Sequence, residues 1–360
     1  MKFDYYNSKK LSNGKTYVLT DPAERRQYFE AKLGHKIDDV KSYLEHNTFI
    51  GYLLAKKQAG KGTYSKMIEE ILGPERFAHI SVGDVVRDFH EKLESGEDIS
   101  DVINLVRKHY RGFISVEESM EALRNRTTDK VSVPAELMLT LLKLEIDKIG
   151  RKGLFIDGMP RTLDQISYSL YFRDLINYRD DPDFFLLINV SNDLIDLRMK
   201  NRVICPECHT SKSMILNPTT NVIYDQTDKQ VKFICDNNTC SGYNKAVYIH
   251  KEGDELGIKA IEERLRSDED LMQKALNLHG IQKILIESSI PASIANDYLE
   301  EYEIQPAYEF EVVGDPGNET INIKTGPLKF KDDDGADCYT MYAATYVVNI
   351  FDQLHKILIG

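Results

Sequence analysis

The sequence lacks any apolar run long enough to cross a bilayer; its longest runs, such as Phe184 to Ile188, cover only a few residues. Its opening, Met1-Lys2-Phe3-Asp4-Tyr5-Tyr6, lacks the apolar core of a signal peptide. Basic excess is missing too: 46 Lys+Arg stand against 58 Asp+Glu, a net charge of −12. That balance excludes a general nucleic-acid binder, which needs a basic face. It leaves phosphate ligands open, because the field inside a cleft can oppose the net charge. Cysteine is scarce, with five in 360 residues, four of them in two close pairs. That usage suits a reducing compartment and a metal better than disulfides. No internal repeat or low-complexity segment is present. The expectation is a soluble cytoplasmic protein that binds neither nucleic acid nor membrane.

What is present reads as an ordinary globular chain, 42% apolar and 29% charged, long enough for a sizeable core. Residues 1–47 read as an extension. In it Leu11 to Val18 carries an Asn13-Gly14 hairpin signal, and Asp21-Pro22 opens a helical stretch towards Leu44. Short apolar runs then recur at Phe49–Leu54, Ala78–Val82, Leu154–Ile156, Phe184–Val190 and Lys283–Ile286, separated by helical patterns. Strands alternating with helices predict a parallel α/β sheet. Two stretches interrupt the alternation and read as insertions: 84–130, helical and charged, and 203–252, turn-rich with paired cysteines. The tail, 305–360, holds four basic against nine acidic residues, strand-like runs at Phe310–Val313 and Thr320–Lys324, and the acidic turn Asp332-Asp333-Asp334-Gly335. It ends in an amphipathic helix whose stripe of Ala344, Val347, Val348, Phe351, Leu354 and Leu358 predicts a buried face.

Two segments carry chemistry at strand ends. Ala55-Lys56-Lys57-Gln58-Ala59-Gly60-Lys61-Gly62-Thr63 follows the first strand and opens a helix. Such a turn gathers backbone N–H groups and a helix N-terminus around an anion, with Lys61 in reach of outer phosphates. Gly153 to Gln165 places Asp157 at the carboxyl edge of the sheet, where open α/β folds bind ligands, with Arg161 able to fork onto a phosphate. A third segment pairs Cys205-Pro206-Glu207-Cys208 with Cys235 to Cys240. Four thiolates of that spacing can converge on one tetrahedral Zn²⁺, a closed and therefore structural site. Redox use of Cys205 and Cys208 is the alternative, without the βαβ context it would need.

With these segments in view the chain resembles the adenylate kinases, among the nucleoside monophosphate kinases. Gly60-Lys61-Gly62-Thr63 matches the family's GKGT, and His79 to Arg87 its HISTGDLLR segment. Asp157 to Gln165 is similar to DGFPRTxxQ. Arg198 to Arg202 falls where the lid begins, and Glu263-Arg264-Leu265 where the chain returns from it. The likeness covers about residues 48–304. It implies a P-loop-type parallel sheet as core (48–83, 131–202 and 253–304), a nucleotide-binding insertion (84–130), a zinc-stapled lid (203–252) and a C-terminal extension (305–360). The activity implied is Mg²⁺-dependent transfer from ATP to AMP, giving two ADP.

Residue by residue, the resemblance puts Ala59, Gly60, Lys61, Gly62 and Thr63 around ATP, with Lys61 on the transferring group. Arg198 stacks near the adenine, and Arg202 and Arg264 close from the lid side. Val82, Gly83, Arg87, Gly158, Arg161, Gln165 and Arg264 surround AMP, Gln165 reading the adenine edge. Asp84 and Asp157 orient water around Mg²⁺. Departures stand beside this match: Ala55, Lys57 and Gln58 replace Gly, Pro and Gly of the usual GxPGxGKGT. Val82 and Met159 replace a Thr and an aromatic, and Lys251 is the nearest counterpart of one lid arginine. Positive φ at Gln58 would cost on the order of 1 kcal/mol. Lys56 and Lys57 could hold phosphate or be solvated. A kinase for another nucleoside monophosphate, or a nucleotide-binding pseudokinase serving as an interaction module, stays open as an alternative.

Overall fold

The computed structural model describes residues 2–3, 10–11, 14–124, 134–162, 165–166, 172–178, 180–315 and 317–360. Its centre is a five-stranded, wholly parallel sheet in the order β10-β4-β1-β3-β2. The strands are β1 (Ile50–Ala55), β2 (Phe77–Ser81), β3 (Gly153–Asp157), β4 (Asp183–Asn189) and β10 (Gln282–Glu287). Each falls on one of the five apolar runs, because a strand covered on both faces has no polar alternation to keep. The pairing Leu53↔Asp157 and Ser81↔Asp157 brings the carboxyl ends of β1, β2 and β3 level. The α/β parallel-sheet expectation is met.

One face of the sheet is built on aromatic rings. Phe155 lies 6.1 Å from Phe49, 5.0 Å from Phe77 and 6.2 Å from Phe184, edge to face in each case. Gly51 makes room for them: a Cβ there would stand 2.8 Å from both Phe155 and Phe184. Over this face lie α3 (Lys61–Leu72) and the two N-terminal helices α1 (Pro22–Leu33) and α2 (Lys36–Tyr43). The C-terminal helix, which we label α10 (Ala343–Leu358), shares the same core. Asp21 caps α1 by accepting from the N–H groups of Ala23 and Glu24, and Pro22 starts it, as the sequence predicts. The predicted apolar stripe of α10 is buried from Ala344 to Leu354, with Leu358 half-buried.

The terminal segments are therefore parts of the core. Lys32 on α1 pairs with Glu303 at 2.9 Å, both buried, and Tyr28 donates to the same carboxylate at 2.5 Å. Of the expected hairpin, Lys15–Val18 makes no strand among the described residues, and the turn residues Ser12 and Asn13 lie outside them. Tyr17 packs its ring 5.8 Å from Tyr28 on α1.

The first insertion is helical as predicted: α4 (Val82–Ser95), α5 (Ser100–His109) and α6 (Val116–Arg124), with α7 (Ala135–Ile149) returning to β3. Residues 125–130 of that expectation lie outside the described residues. After β4 and α8 (Asn192–Lys200) come the short strands β5 (Arg202–Ile204), β6 (Ser211–Ser213), β7 (Asn221–Asp225), β8 (Gln230–Ile234) and β9 (Ile249–His250). The helix α9 (Glu262–Asn277) leads back to β10, and β11 (Ile290–Pro291) follows it.

The tail then forms a hairpin, β12 (Pro306–Val313) with β13 (Thr320–Pro327), and the short strands β14 (Lys329–Lys331) and β15 (Asp337–Tyr339). That hairpin lies against the cysteine-bearing insertion. Phe310 meets Phe233 edge to face at 5.1 Å, Tyr308 donates its N–H to Ile215 at 2.8 Å, and Gln226 donates to Glu319 at 2.8 Å. Among the described residues no helix is long and apolar enough to cross a membrane.

Candidate active site

Three loops converge at the carboxyl edge of the sheet, after β1, β2 and β3. The first is the phosphate-loop candidate. Ala59 donates its N–H to the Lys56 carbonyl at 3.3 Å, closing a tight turn in which Gln58 has φ +67°. That is the left-handed conformation foreseen from the replaced glycine, and a non-glycine residue holds it only with support from its surroundings. Gly60, at φ +93°, is the other special position. A Cβ there would stand 2.9 Å from the ring of Tyr64, so both its backbone and its close contact call for glycine. The first turn of α3 begins at Lys61, and its leading N–H groups have no intrahelical acceptor. Gly62 borders open space, with nothing within 4 Å of a Cβ built on it. Lys61 donates to the Ala55 carbonyl at 3.0 Å and faces Asp157 at 3.6 Å.

The second and third loops meet around Gly158. At φ +91° its Cβ position would lie 3.1 Å from the Arg161 guanidinium and 3.5 Å from Val82, and a Cβ built on Gly83 would stand 3.9 Å from the same guanidinium. Arg161 is held by its neighbours: its Nε donates to the Gly158 carbonyl at 2.8 Å, and its backbone N–H donates to Gln165 Oε1 at 2.6 Å. Gln165 is buried. Ser81 caps α4 by accepting from the Asp84 N–H at 3.3 Å, and Asp84 pairs with Arg87 at 2.7 Å on the exposed face of that helix. Behind them, burial pushes the His79 imidazole pKa below its ordinary value, against the pull of Asp157 and Asp84, so it is neutral at pH 7. Leu163 and Asp164 of the third motif lie outside the described residues.

Cations arrive from the remaining segments. Burial lowers the Lys57 pKa, and Arg264 lowers it further; Asp254 opposes, and Arg202 and Lys251 act in the same sense as Arg264. Lys57 thus stands among Arg202, Lys251 and Arg264. Arg202 is itself held by Asp254, its Nε donating at 2.5 Å. Arg198 points at the loop: it donates to the Gln58 carbonyl at 2.9 Å and bonds the Tyr64 hydroxyl.

Lys56 has a fate that neither sequence alternative foresaw. It is 1% exposed and runs behind the loop, away from phosphate and solvent alike, donating to Val190 O at 3.3 Å and Asn192 Oδ1 at 3.1 Å. The lysine's long stem allows this, and a buried ammonium needs the partners it finds there.

Asp268 on α9 is the site residue that sequence reasoning missed. Burial raises its pKa, while Arg264, Lys61, Arg161 and the Lys57 N–H pull it down. In the sequence it sits in a run of alternating charges, Glu262 to Asp270, that reads as a solvated helix face.

The four cysteines Cys205, Cys208, Cys235 and Cys240 converge, with all four sulfurs within 4.8 Å of one another. Cys205 and Cys240 are 3.9 Å apart, as are Cys208 and Cys235. A tetrahedral Zn²⁺ with bonds of about 2.3 Å needs sulfurs about 3.8 Å apart, so the cluster fits zinc. Cys338 is remote from them, buried on β15.

No protein-family model matches the chain. Among characterised proteins it is similar to adenylate kinase of Thermotoga petrophila, 30% identical over 44% of this chain and 61% of that one. Adenylate kinase of Clostridium beijerinckii is 31% identical over 47% of this chain and 66% of its own length. That of Ruminiclostridium cellulolyticum is 28% identical over 46% and 65%. The chain thus spans less than two thirds of the length of the relatives it matches.

Proposed function

Because the chain belongs to the adenylate kinase family, we propose that it transfers the terminal phosphoryl group of Mg·ATP to AMP, reversibly, giving two ADP. The observation that carries this reading is the gathering of Lys57, Lys61, Arg161, Arg202 and Arg264, from four separate segments, at one edge beside the N-terminus of α3. Phosphoryl transfer asks for positioning and charge stabilisation above all, and fixed cations with oriented N–H groups supply both.

In this reading Ala59 to Thr63 cradle the ATP β-phosphate with their N–H groups, and Lys61 leaves Asp157 to follow the transferring group. Arg161 and Arg87 hold the AMP phosphate. Val82, Gly83 and Gly158 let the nucleotide approach the backbone, and Gln165 meets the adenine edge. Arg202 and Arg264 close on the phosphates, while Arg198 keeps the loop carbonyl of Gln58 turned away from them. Asp84 and Asp157 would hold Mg²⁺ through water; the ion supplies neutralisation of phosphate charge. No general base is needed. The four cysteines would hold a structural Zn²⁺ that keeps the 203–252 insertion folded as a lid over the 48–83, 131–202 and 253–304 core. Residues 84–130 carry the acceptor.

The test is an assay of ADP formation from Mg·ATP with AMP, CMP, UMP and GMP as acceptors. AMP-dependent turnover is expected, and Lys61→Ala is expected to lower kcat/KM roughly a thousandfold, as loss of a charge on the transferring group does. Turnover with another acceptor would overturn the substrate. No turnover with any acceptor, in folded zinc-loaded protein, would overturn the enzyme.

A further inference from the structure

We propose that Lys56, together with Asp333 of the C-terminal segment, is a positioning pair that holds the altered phosphate loop in its ligand-binding shape. The proposal rests on the reading above and adds to it a part played by the tail.

The loop has a structural problem of its own making. Its turn runs from Lys56 to Ala59 with a positive φ at the third residue, where glycine is usual and this chain has Gln58. Left to itself such a turn relaxes, and its N–H groups turn away from the pocket. Two side chains oppose this. From the front, Arg198 donates to the Gln58 carbonyl. From behind, Lys56 anchors the residue whose carbonyl closes the turn.

The anchor is fully buried and unusually well partnered. Beside Val190 O and Asn192 Oδ1, the Lys56 ammonium faces Asp333 at 3.8 Å and Glu269 at 3.7 Å. Asp333 does two things at once. Its Oδ1 accepts from the Asn192 N–H at 2.8 Å, at the start of α8, while its Oδ2 faces Lys56. The carboxylate therefore joins the loop to the helix that carries Arg198, the loop's other support. Its own turn is closed by Asp332, which accepts from the N–H groups of Asp334 and Ala336. A second contact from the same tail lies beneath the loop, where Tyr346 packs 5.5 Å from Tyr64, the ring against which Gly60 rests. Asp333 is itself 40% exposed and Glu269 stays beside the ammonium when Asp333 is neutralised, so the loss falls on the loop's tie to the tail and leaves no unpaired buried charge.

The experiment compares wild type, Asp333→Asn, Lys56→Met, and Asp333→Asn combined with Gln58→Gly, all full-length and zinc-loaded. Asparagine keeps an oxygen for the Asn192 N–H and removes the charge. In Asp333→Asn the KM for ATP is expected to rise about tenfold while the KM for AMP and the thermal midpoint barely move. Gln58→Gly, which removes the strain the pair has to hold, should restore most of the lost ATP affinity. Lys56→Met should act in the same direction; if it does not fold, the asparagine variant and its rescue decide alone.

An unchanged KM for ATP, an equal rise for both nucleotides, or no recovery with Gln58→Gly would overturn the proposal. If wild type binds Mg·ATP in calorimetry but transfers nothing, the proposed function falls, and the calorimetric affinities of wild type and Asp333→Asn decide the positioning pair by the same criteria. If wild type binds no ATP, both fall.

Discussion

Arg87 and Lys56 flank the same sheet edge and are held in opposite ways. Arg87, 62% exposed, pairs with Asp84 three residues earlier on its own helix. Lys56, 1% exposed, reaches the β4–α8 junction, α9 and the C-terminal turn. In the proposed reading these are the acceptor and donor sides of one reaction. The acceptor side is assembled from neighbours in sequence: Ser81 caps α4, Arg161 binds Gly158, and Gln165 binds Arg161. The donor side is assembled from afar, with the tail beneath the loop at Tyr346, behind it at Asp333, and against the cysteine insertion at Phe310. Local contacts survive large movements of the helix that bears them; distant contacts fix one arrangement at the cost of mobility. A chain with a weakened loop gains more from the second kind.

The sharpest way to test that difference is to remove the metal. Without zinc the Cys205, Cys208, Cys235 and Cys240 cluster has little core to fall back on, since its apolar neighbours are few: Val203, Tyr248 and partly buried Met214, Phe233 and Ala246. Chelation, or Cys235→Ser, is expected to lower kcat roughly 10- to 100-fold by unfolding the insertion that brings in Arg202, and to leave the sheet intact. Metal analysis beside a two-probe thermal melt checks it. Loss of the whole fold in one transition would break the separation between core and insertion.

On the acceptor side Arg87→Ala should raise the KM for AMP about tenfold, the usual loss for one charge-assisted phosphate contact, with the KM for ATP unchanged. Because the arginine is tied only to its own helix in the contacts described, the thermal midpoint should not follow. A matching rise in the KM for ATP would mean that the two sides are not separately assembled.

The hairpin on the insertion makes a smaller and more local prediction. Phe310→Ala removes an edge-to-face pair worth about 0.5–1.5 kcal/mol. Amide exchange in β7 and β8 is expected to speed up several-fold, with α4 to α6 unaffected. Exchange unchanged in β7 and β8 would show that the tail does not brace the insertion.

How much of this was legible in the sequence follows from which contacts are local. All five core strands fall on the apolar runs because burial on both faces writes itself as continuous hydrophobicity. The Gly60-Lys61-Gly62-Thr63 turn, the positive φ at Gln58 and the cysteine cluster follow from short spacings. The turn at Asn13 lies outside the described residues, and the segment after it, Lys15–Val18, makes no strand while Tyr17 packs against Tyr28. The destination of Lys56 was illegible because it is fixed by Asn192, Glu269 and Asp333, three residues far apart in the chain that only the sheet topology brings together. The tail's part in the core was half legible, since the α10 stripe announces a buried face without naming what covers it.

Asp268 gives the smallest effect and the finest test of the donor side. Its carboxylate lies among Arg264, Lys61 and Arg161, the same cations that the phosphates of ATP would claim, so in the proposed reading the two compete for them. Burial raises its pKa above the ordinary 3.8, and the sign follows from that. The protonated form is the one the fold favours, so its contribution to stability is fully present below the unfolded pKa and is lost as pH rises through the folded one. At neutral pH Asp268→Asn should therefore raise the thermal midpoint slightly and lower the KM for ATP two- to threefold, by about 0.5 kcal/mol. As pH falls towards the folded pKa, wild type neutralises the same charge and the two proteins should converge in both quantities. Measuring them side by side cancels the nucleotide's own titration. A gap that stays constant with pH would mean that Asp268 acts through packing; a KM that rises in the variant would mean that it helps to hold the cations in place for ATP.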